Sequence, residues 1–274
     1  MFGFNPNDYE IRKELATCCN GIASVYLAKH TSGQLVALKK FRMDRAKEES
    51  AYIRDEILTM RQFHHPNILS FFTSFVDNFD VFVIAPFMPY GSCRDTMTNS
   101  CRTGFPEIIV VLILRDVLHG VEYLHKKGFI HRAIRASHIL MNHERAVLTG
   151  FRQAITLLSH GERVRSLHNL PANSTKGLNW LAPEVLEQDL LGYSEKSDVY
   201  SVGISTQPTD RPNVSQLFNH PVFKQTKHTS LSEQLTNFGI HPVDYSQHCD
   251  ENLKLVQDLS DMNLSAGSAF EWDF

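Results

Sequence analysis

The sequence predicts an α+β fold of two lobes. Its first ninety residues read as strands and one helix, and the character changes at residues 89–92 into a long helix with one apolar face. The length of 274 residues is about the size at which a single core divides into two. A hydrophobic content of 42% is ample for packed cores.

The first lobe is predicted to contain two strand pairs and a helix. Alternating or apolar runs rich in β-branched and aromatic residues indicate strands, and turn residues separate the members of each pair. Apolar residues recur at helical spacing before a His-Pro pair, which predicts an amphipathic helix. The predicted strands are 24–28, 35–39, 68–75 and 81–87, and the helix is 46–63.

The second lobe begins with a predicted helix over residues 107–125. Beyond about residue 224 the chain is polar and weakly periodic, which is typical of a tail. We therefore predict a first lobe over 9–88, a second lobe over 89–224 and a flexible tail over 225–274.

Composition argues against several classes of function. The formal charge of −3, from 27 basic and 30 acidic residues, disfavours binding to nucleic acid or an anionic membrane. The longest apolar run, 108–114, is far shorter than the roughly 20 residues of a membrane span. Residues 1–10 lack the pattern of a secretory signal, and five scattered cysteines indicate reduced thiols without a zinc site. We expect a cytoplasmic and nuclear protein.

A series of short motifs crosses the middle of the chain in a fixed order. It consists of VALK at 36–39, YLH at 123–125, IHR at 130–132, SHIL at 137–140, APE at 182–184 and SDVYSVG at 197–203. In identity, order and spacing the series resembles the protein-kinase signature set over about residues 9–224. The resemblance implies a bilobal kinase-like fold, with an antiparallel sheet in the N-lobe and a mainly helical C-lobe.

The residues that carry phosphoryl transfer in kinases are replaced. Ala133 stands where kinases have the catalytic Asp, His138 where they have a metal-binding Asn, and Gly150 where they have the metal-binding Asp. The glycine-rich loop has Cys18, Asn20 and Ala23 at its glycine positions. The chain therefore looks like a pseudokinase, with no catalytic residue and no metal.

The kinase resemblance also implies a nucleotide cleft. Its residues are expected to be Val25, Lys39, Glu56, Phe87, Met88 and Arg152. Lys39 and Glu56 also have a simpler interpretation, as a structural ion pair. Arg152 is either a solvated loop residue or, as we prefer, a ligand for phosphate oxygens, which would let ATP bind without magnesium.

Five further residues have mainly structural interpretations. Arg132 either receives a phosphorylated segment or bonds backbone carbonyls, and the sequence leaves both open. His131 and His138 are interpreted as structural residues rather than ligands. Glu184 and Arg211 are expected to form a fold-stabilising pair.

The amino-acid sequence between the motifs is similar to that of the STRAD family of Ste20-related kinase adaptors. The similar segments include PFMPYGS at 86–92, GFR at 150–152, SHGER at 159–163 and the final WDF at 272–274. The resemblance implies an allosteric activator of a serine/threonine kinase of the liver kinase B type. It also implies that Trp272 and Phe274 bind an armadillo-like helical-repeat scaffold of the calcium-binding-protein-39 type.

One departure from the kinase pattern is large. Only six residues, 205–210, separate the helix near Ile204 from Arg211, where kinases have several more helical turns. We therefore expect the C-lobe to be shortened and Leu112, Leu118 and Leu124 to be poorly covered. Two alternatives to an adaptor follow: a weak kinase using Glu144 or Glu162 as its carboxylate, and a non-functional shortened form.

Overall fold

A computed structural model describes residues 2–46, 49–170, 177–188, 190–203, 207–226 and 229–243. It shows the α+β architecture predicted from the sequence, with a sheet-based N-lobe and a mainly helical C-lobe. The predicted fold class is therefore confirmed.

The N-lobe contains a five-stranded antiparallel sheet in the order β1-β2-β3-β5-β4. The strands are β1 (Tyr9–Cys18), β2 (Ala23–His30), β3 (Leu35–Arg42), β4 (Thr73–Asp77) and β5 (Asp80–Pro86). The fourth strand begins later than predicted, because Ile68 and Leu69 pair with Leu148 of the C-lobe instead of with β5.

Alternation along β3 directs Lys39 toward the helix of the lobe. Val36 and Leu38 are fully buried on one face of the sheet, whereas Lys39 and Phe41 belong to the other. That second face packs against helix α1 (Ser50–Met60), which buries Ile53 and Glu56.

Helix α1 is shorter than the predicted 46–63 at both ends. At its end Arg61 remains near helical, but Phe63 leaves the helix and packs into the C-lobe core. Phe63 fits the helical periodicity of the sequence, but it is apolar because it packs against the second lobe and not because the helix continues.

The C-lobe is built around the 20-residue helix α3 (Glu107–Lys126), close to its prediction. Before it comes α2 (Cys93–Ser100), which begins with a capping box between Ser92 and Asp95. The other helices are α4 (Pro183–Leu186), α5 (Lys196–Ser201), α6 (Val214–Leu217), α7 (Pro221–Gln225) and α8 (Leu231–Asn237).

Three short antiparallel strand pairs follow α3. Two of them pair β6 (Phe129–Ile130) with β9 (Ile155–Thr156) and β7 (Ile139–Met141) with β8 (Ala146–Leu148). The third joins β10 (Leu158–Ser159) and β11 (Glu162–Arg163).

The predicted tail is wrong in its first part. Leu231, Leu235 and Ile240 are almost completely buried and belong to the same apolar core as α3. The polar composition of this stretch conceals α8, because only its inward face is apolar. Residues 244–274 lie outside the described residues.

The expected exposure of Leu112, Leu118 and Leu124 is also wrong. Their exposures are 0%, 2% and 0%, because α6, α7 and α8 pack against α3 and cover it. Burying a large apolar side chain is worth roughly 1.5–3 kcal/mol, so this cover stabilises the lobe substantially.

The shortened region is anchored by a buried ion pair. Helix α5 ends at Ser201, and a 3-10 turn, Pro208–Asp210, leads to Arg211. Both Arg211 terminal nitrogens contact the Glu184 carboxylate, at 2.5 and 2.9 Å, and Arg211 Nη1 also donates to the Lys196 carbonyl. The expected Glu184–Arg211 pair is confirmed.

Candidate functional site

A cleft of about 1110 Å³ lies between the two lobes. Its walls come from β1 to β3, α1, the hinge after β5, and the loops that follow β6 and β8. All six residues predicted for nucleotide binding line this cavity: Val25, Lys39, Glu56, Phe87, Met88 and Arg152. Their contact with a nucleotide stays a prediction.

Lys39 and Glu56 form an ion pair at the back of the cleft. Lys39 Nζ lies 2.8 Å from Glu56 Oε1, and the Glu56 side chain is only 6% exposed. Burial is the largest influence on Lys39 and opposes its charge, but the Glu56 carboxylate, its hydrogen bond and the nearby Cys18 and Cys19 together outweigh burial and raise the lysine pKa. The other Glu56 oxygen, Oε2, is buried with no hydrogen-bond partner among the described residues.

Arg152 also lines the cleft, where it forms an ion pair with Glu49. Both side chains are more than four-fifths buried, so the solvated-loop interpretation of Arg152 is wrong. Sequence reasoning missed Glu49, because it precedes the first turn of α1 and no kinase motif includes it. Any phosphate that binds Arg152 must compete with this carboxylate.

His138 is a half-buried, uncharged imidazole. The Arg135 guanidinium donates to its Nε2 at 3.0 Å, so Nδ1 carries the proton and donates to the Ala133 carbonyl at 2.7 Å. Burial, and then the charge of Arg135, lowers its pKa to about 3. The prediction that His138 is structural fits these contacts.

Gly150 and His138 occupy adjacent space. Gly150 has a φ of +85°, and a Cβ built on it would lie 2.6 Å from Cγ and Nδ1 of the His138 ring. A side chain at position 150 therefore requires the imidazole to move. The two replaced metal-binding positions are thus coupled by packing.

His131 and Arg132 are held by the buried carboxylate of Asp198. Asp198 accepts hydrogen bonds from both backbone N–H groups at 2.8 Å and from His125 Nε2 at 2.9 Å. Burial opposes its charge, but the bond from His125 and the other donors lower its pKa overall. His131 donates from Nε2 to the Thr149 carbonyl, in keeping with a structural role.

The Arg132 side chain bonds nearby oxygens of the C-lobe. Nε donates to the Gln153 carbonyl at 2.6 Å, and Nη1 donates to the Tyr193 hydroxyl at 2.8 Å and more weakly to the Asn169 carbonyl. Of the two interpretations left open by the sequence, the structure favours bonding to backbone carbonyls.

The turn between β1 and β2 closes the outer end of the cleft. Cys19, Asn20 and Gly21 all have positive φ, at +53°, +54° and +86°. Both Cys18 and Cys19 line the cavity, half-buried. Sequence reasoning treated Cys18 only as a replaced glycine and Cys19 only as one of the reduced thiols, and it missed their common position beside Lys39 and Arg152.

A segment from the predicted tail reaches the hinge. The Val243 backbone N–H donates to the Pro89 carbonyl at 3.0 Å, and His241 and Val243 both line the cleft. Trp272 and Phe274 lie outside the described residues, so their predicted role is untested.

Neither carboxylate of the weak-kinase alternative lies in the cleft. Glu144 is exposed in the β7–β8 turn beside Arg145, and Glu162 is exposed in β11. The carboxylates that line the cleft among the described residues are Glu49, Glu56 and Asp95. No group of three or more acidic, histidine or cysteine side chains in the described ranges could hold a metal ion.

The fold and cleft define a bilobal protein of the kinase type. The protein kinase domain model matches residues 20–262, and the chain belongs to that family.

No helix within the described part of the chain is both long and apolar enough to cross a membrane.

Within the family, the chain is similar to the STE20-related kinase adapter proteins. It is 35% identical over 210 residues to the alpha protein of Homo sapiens, covering 75% of this chain and 49% of that protein. It is 38% identical over 204 residues to the human beta protein, covering 73% of this chain and 49% of the relative. The alpha protein of Gallus gallus is 34% identical over 210 residues, or 75% of this chain and 54% of the relative.

The resemblance predicted from the motifs is therefore confirmed. The chain spans about half the length of the curated relatives it matches.

Proposed function

We propose that this protein is a catalytically inactive kinase-domain adaptor that binds ATP without magnesium and activates a partner serine/threonine kinase. The observation that carries the proposal is the imidazole of His138, which fills the space beside Gly150. In kinases these two positions supply oxygen ligands to magnesium. The neutral, half-buried imidazole, which accepts from Arg135 and donates to the Ala133 carbonyl, offers no oxygen ligand.

The acidic groups of the cleft are already engaged. Glu49 pairs with Arg152, Glu56 pairs with Lys39, and Asp95 accepts a hydrogen bond from Ser92 Oγ at 2.6 Å. A magnesium ion that bound these paired oxygens would have to displace a partner. The remaining Glu56 oxygen, Oε2, is a single ligand atom, whereas kinases hold magnesium with several oxygen ligands. Ala133 has no group that could accept the proton of a substrate hydroxyl, which in kinases a carboxylate accepts.

The cationic groups support binding of a nucleotide without a metal. Lys39 and Arg152 both face the cavity, and a triphosphate that recruits them gains the compensation that magnesium supplies in kinases. Arg152 and Glu49 both line the cavity, so a phosphate in the cavity can replace Glu49 as the partner of Arg152.

A thermal-shift experiment in a metal chelator tests this binding. We expect ATP to raise the melting temperature of the whole chain in chelator, by an amount equivalent to about 2.7 kcal/mol at a hundredfold excess over Kd. Arg152→Gln should reduce the shift strongly, whereas Arg163→Gln, which changes an arginine of the exposed β10–β11 pair, should not. A shift that requires magnesium would contradict the proposal.

A radiolabel transfer assay tests the absence of catalysis. With magnesium or manganese we expect no phosphate transfer to a protein substrate or to the chain itself. Ala133→Asp should not restore transfer, because the metal ligands would still be missing. Robust metal-dependent transfer by the unchanged chain would overturn the proposal and favour a weak kinase, for which the intact Lys39–Glu56 pair is the supporting observation.

The action on a partner is supported by the relatives, which are named kinase adapters. An adaptor without chemistry can shift a kinase toward activity only by binding its active conformation more tightly than its inactive one. We propose a partner of the liver kinase B type, an armadillo-like scaffold of the calcium-binding-protein-39 type, and a place in the cytoplasm and nucleus.

Titrating the purified chain into such a kinase, with and without the scaffold, tests this step. We expect the rate of substrate phosphorylation to rise and then saturate. An unchanged rate at saturating scaffold would instead favour the non-functional shortened form.

A further inference from the structure

We propose that Cys19 is a thiolation site in the cleft, at which a small anionic disulfide of the glutathione class forms a mixed disulfide. The position of the thiol, the charges around it and its neighbour Cys18 favour reaction at this site. The reaction does not require that the protein bind a nucleotide.

The position makes Cys19 accessible from the cavity. Strand β1 ends at Cys18, and the following turn holds Cys19 in a left-handed backbone conformation with a φ of +53°. Both thiols line the cleft and are half-buried, whereas Cys93 is buried in the C-lobe core. A reagent that enters the cleft can therefore reach Cys19.

The surroundings favour a thiolate at Cys19. Its side chain is hydrogen-bonded to both Cys18 and the Arg152 guanidinium, and Lys39 adds a second positive charge. The bond from Cys18 has the largest effect, and together with the two cations it outweighs burial and Glu56 and lowers the Cys19 pKa to about 6. The Cys18 pKa is raised, chiefly by the same hydrogen bond, so Cys18 stays a protonated donor.

The chemistry is a thiol–disulfide exchange. The Cys19 thiolate attacks one sulfur of the small disulfide, a new S–S bond forms, and the old S–S bond breaks. The electron pair leaves with the second half of the reagent as a thiolate, so no further oxidant is required. Lys39 and Arg152 line the same cavity with their partners Glu56 and Glu49, and the carboxylates of an anionic reagent such as glutathione disulfide can compete with these two side chains for the cations.

A disulfide between Cys18 and Cys19 is the less favourable product. Consecutive α-carbons lie about 3.8 Å apart across a trans peptide, below the separation of about 4.4–6.8 Å usual for disulfides. Closing that bond would strain the turn, whereas a mixed disulfide with a small thiol extends freely into the cavity.

The test treats the whole chain with glutathione disulfide over a range of pH and locates adducts by peptide mass spectrometry. At about pH 6.5 we expect Cys19 to react about fivefold faster than an ordinary thiol, since a larger thiolate fraction outweighs its lower intrinsic nucleophilicity. Its rate should be half-maximal near pH 6. Mapping separates this adduct from any on Cys18, Cys93, Cys101 or Cys249.

Two matched variants test whether the charge of Arg152 lowers the Cys19 pKa. Arg152→Gln removes the charge and should raise the half-maximal pH, whereas Arg152→Lys keeps the charge and should leave it lower than the glutamine variant. If a variant fails to fold, the pH profile of the unchanged chain still tests the proposal. Reaction first at another cysteine, or a Cys19 half-maximal pH near the ordinary value of about 8.5, would overturn it.

Protection by ATP in chelator separates this proposal from the nucleotide proposal. If Cys19 reacts as expected but ATP does not slow the reaction, the thiolation site stands and the proposed nucleotide contact at this end of the cleft fails.

Discussion

His138 and Gly150 fit together so closely that position 150 cannot accept a kinase-like Asp while the imidazole stays in place. Gly150→Ala should destabilise the fold for two reasons. A residue with a Cβ at positive φ costs about 1–2 kcal/mol, and the clash with His138 costs about another 1–3 kcal/mol. Urea denaturation measures the difference in the free energy of unfolding.

Gly104 provides the matched control for this substitution. It has a φ of +95°, but a Cβ there meets nothing within 4 Å, so Gly104→Ala should show the cost of positive φ alone. In a His138→Ala background the two alanine substitutions should become similar. Equal effects in the unchanged background would show that the His138 contact is unimportant.

The same imidazole predicts a dependence of stability on pH. Its folded-state pKa of about 3 lies below the unfolded value of about 6.5, so the unfolded chain binds the extra proton. Stability should therefore be lost as pH falls from about 6.5 toward 3, by up to about 1.4 kcal/mol per unit for this group. The pKa of His131 is also lowered by burial and acts in the same direction, whereas the raised pKa of Asp116 opposes it.

Chemical denaturation at several pH values checks this expectation. His138→Asn should make the slope between about pH 4 and 6.5 shallower, while the exposed His160→Asn should leave it unchanged. An identical slope in His138→Asn would mean that other groups control the acid sensitivity.

At the scale of elements, α4 is joined to the chain beyond the shortened region by Glu184 and Arg211. The Arg211 side chain is fully buried, and removing one partner leaves the other charge buried without compensation. Arg211→Leu should therefore lower the free energy of unfolding by about 3–5 kcal/mol, measured by denaturation.

The exposed pair Arg163–Glu195 is the control. Its nitrogen and oxygen lie 3.2 Å apart with both side chains partly in solvent, so Arg163→Leu should change stability by about 1 kcal/mol or less. If the two substitutions had the same effect, the buried pair would not anchor this part of the C-lobe.

At the scale of the whole molecule, Trp272 and Phe274 are predicted to bind the scaffold. The Trp272→Ala, Phe274→Ala double variant should lose about 2 kcal/mol or more of binding free energy, which is about a thirtyfold weakening. The melting temperature of the free chain should not change. Binding to a helical-repeat scaffold is measured by calorimetry or pull-down.

Asp273→Asn is the matched control for the double variant. In an extended segment alternate residues face the same side, so Asp273 is expected to face away from the two aromatic rings and its change to have a small effect. A large fall in the melting temperature of the double variant would place the aromatics in the fold rather than at an interface.

The sequence by itself determined most of the local elements and the chemical identity of the cleft. Four of the five N-lobe strands and helix α3 follow from periodicity, whereas β1 is not among the predicted strands. The replaced residues Ala133, His138 and Gly150 follow from their order within the motifs. These features depend on neighbouring residues in the chain, and for that reason they can be read from it.

Only the tertiary structure decided which distant groups meet. Glu49 reaches Arg152 across 103 positions, Arg132 bonds a carbonyl 21 positions away, and α8 covers α3 although its own composition is polar. Pairing of charges and burial of one helix face depend on how the lobes pack, and short-range patterns do not record that packing. The contact between His138 and Gly150 is likewise decided by the tertiary structure, because it depends on the distance between the two loops that carry these residues.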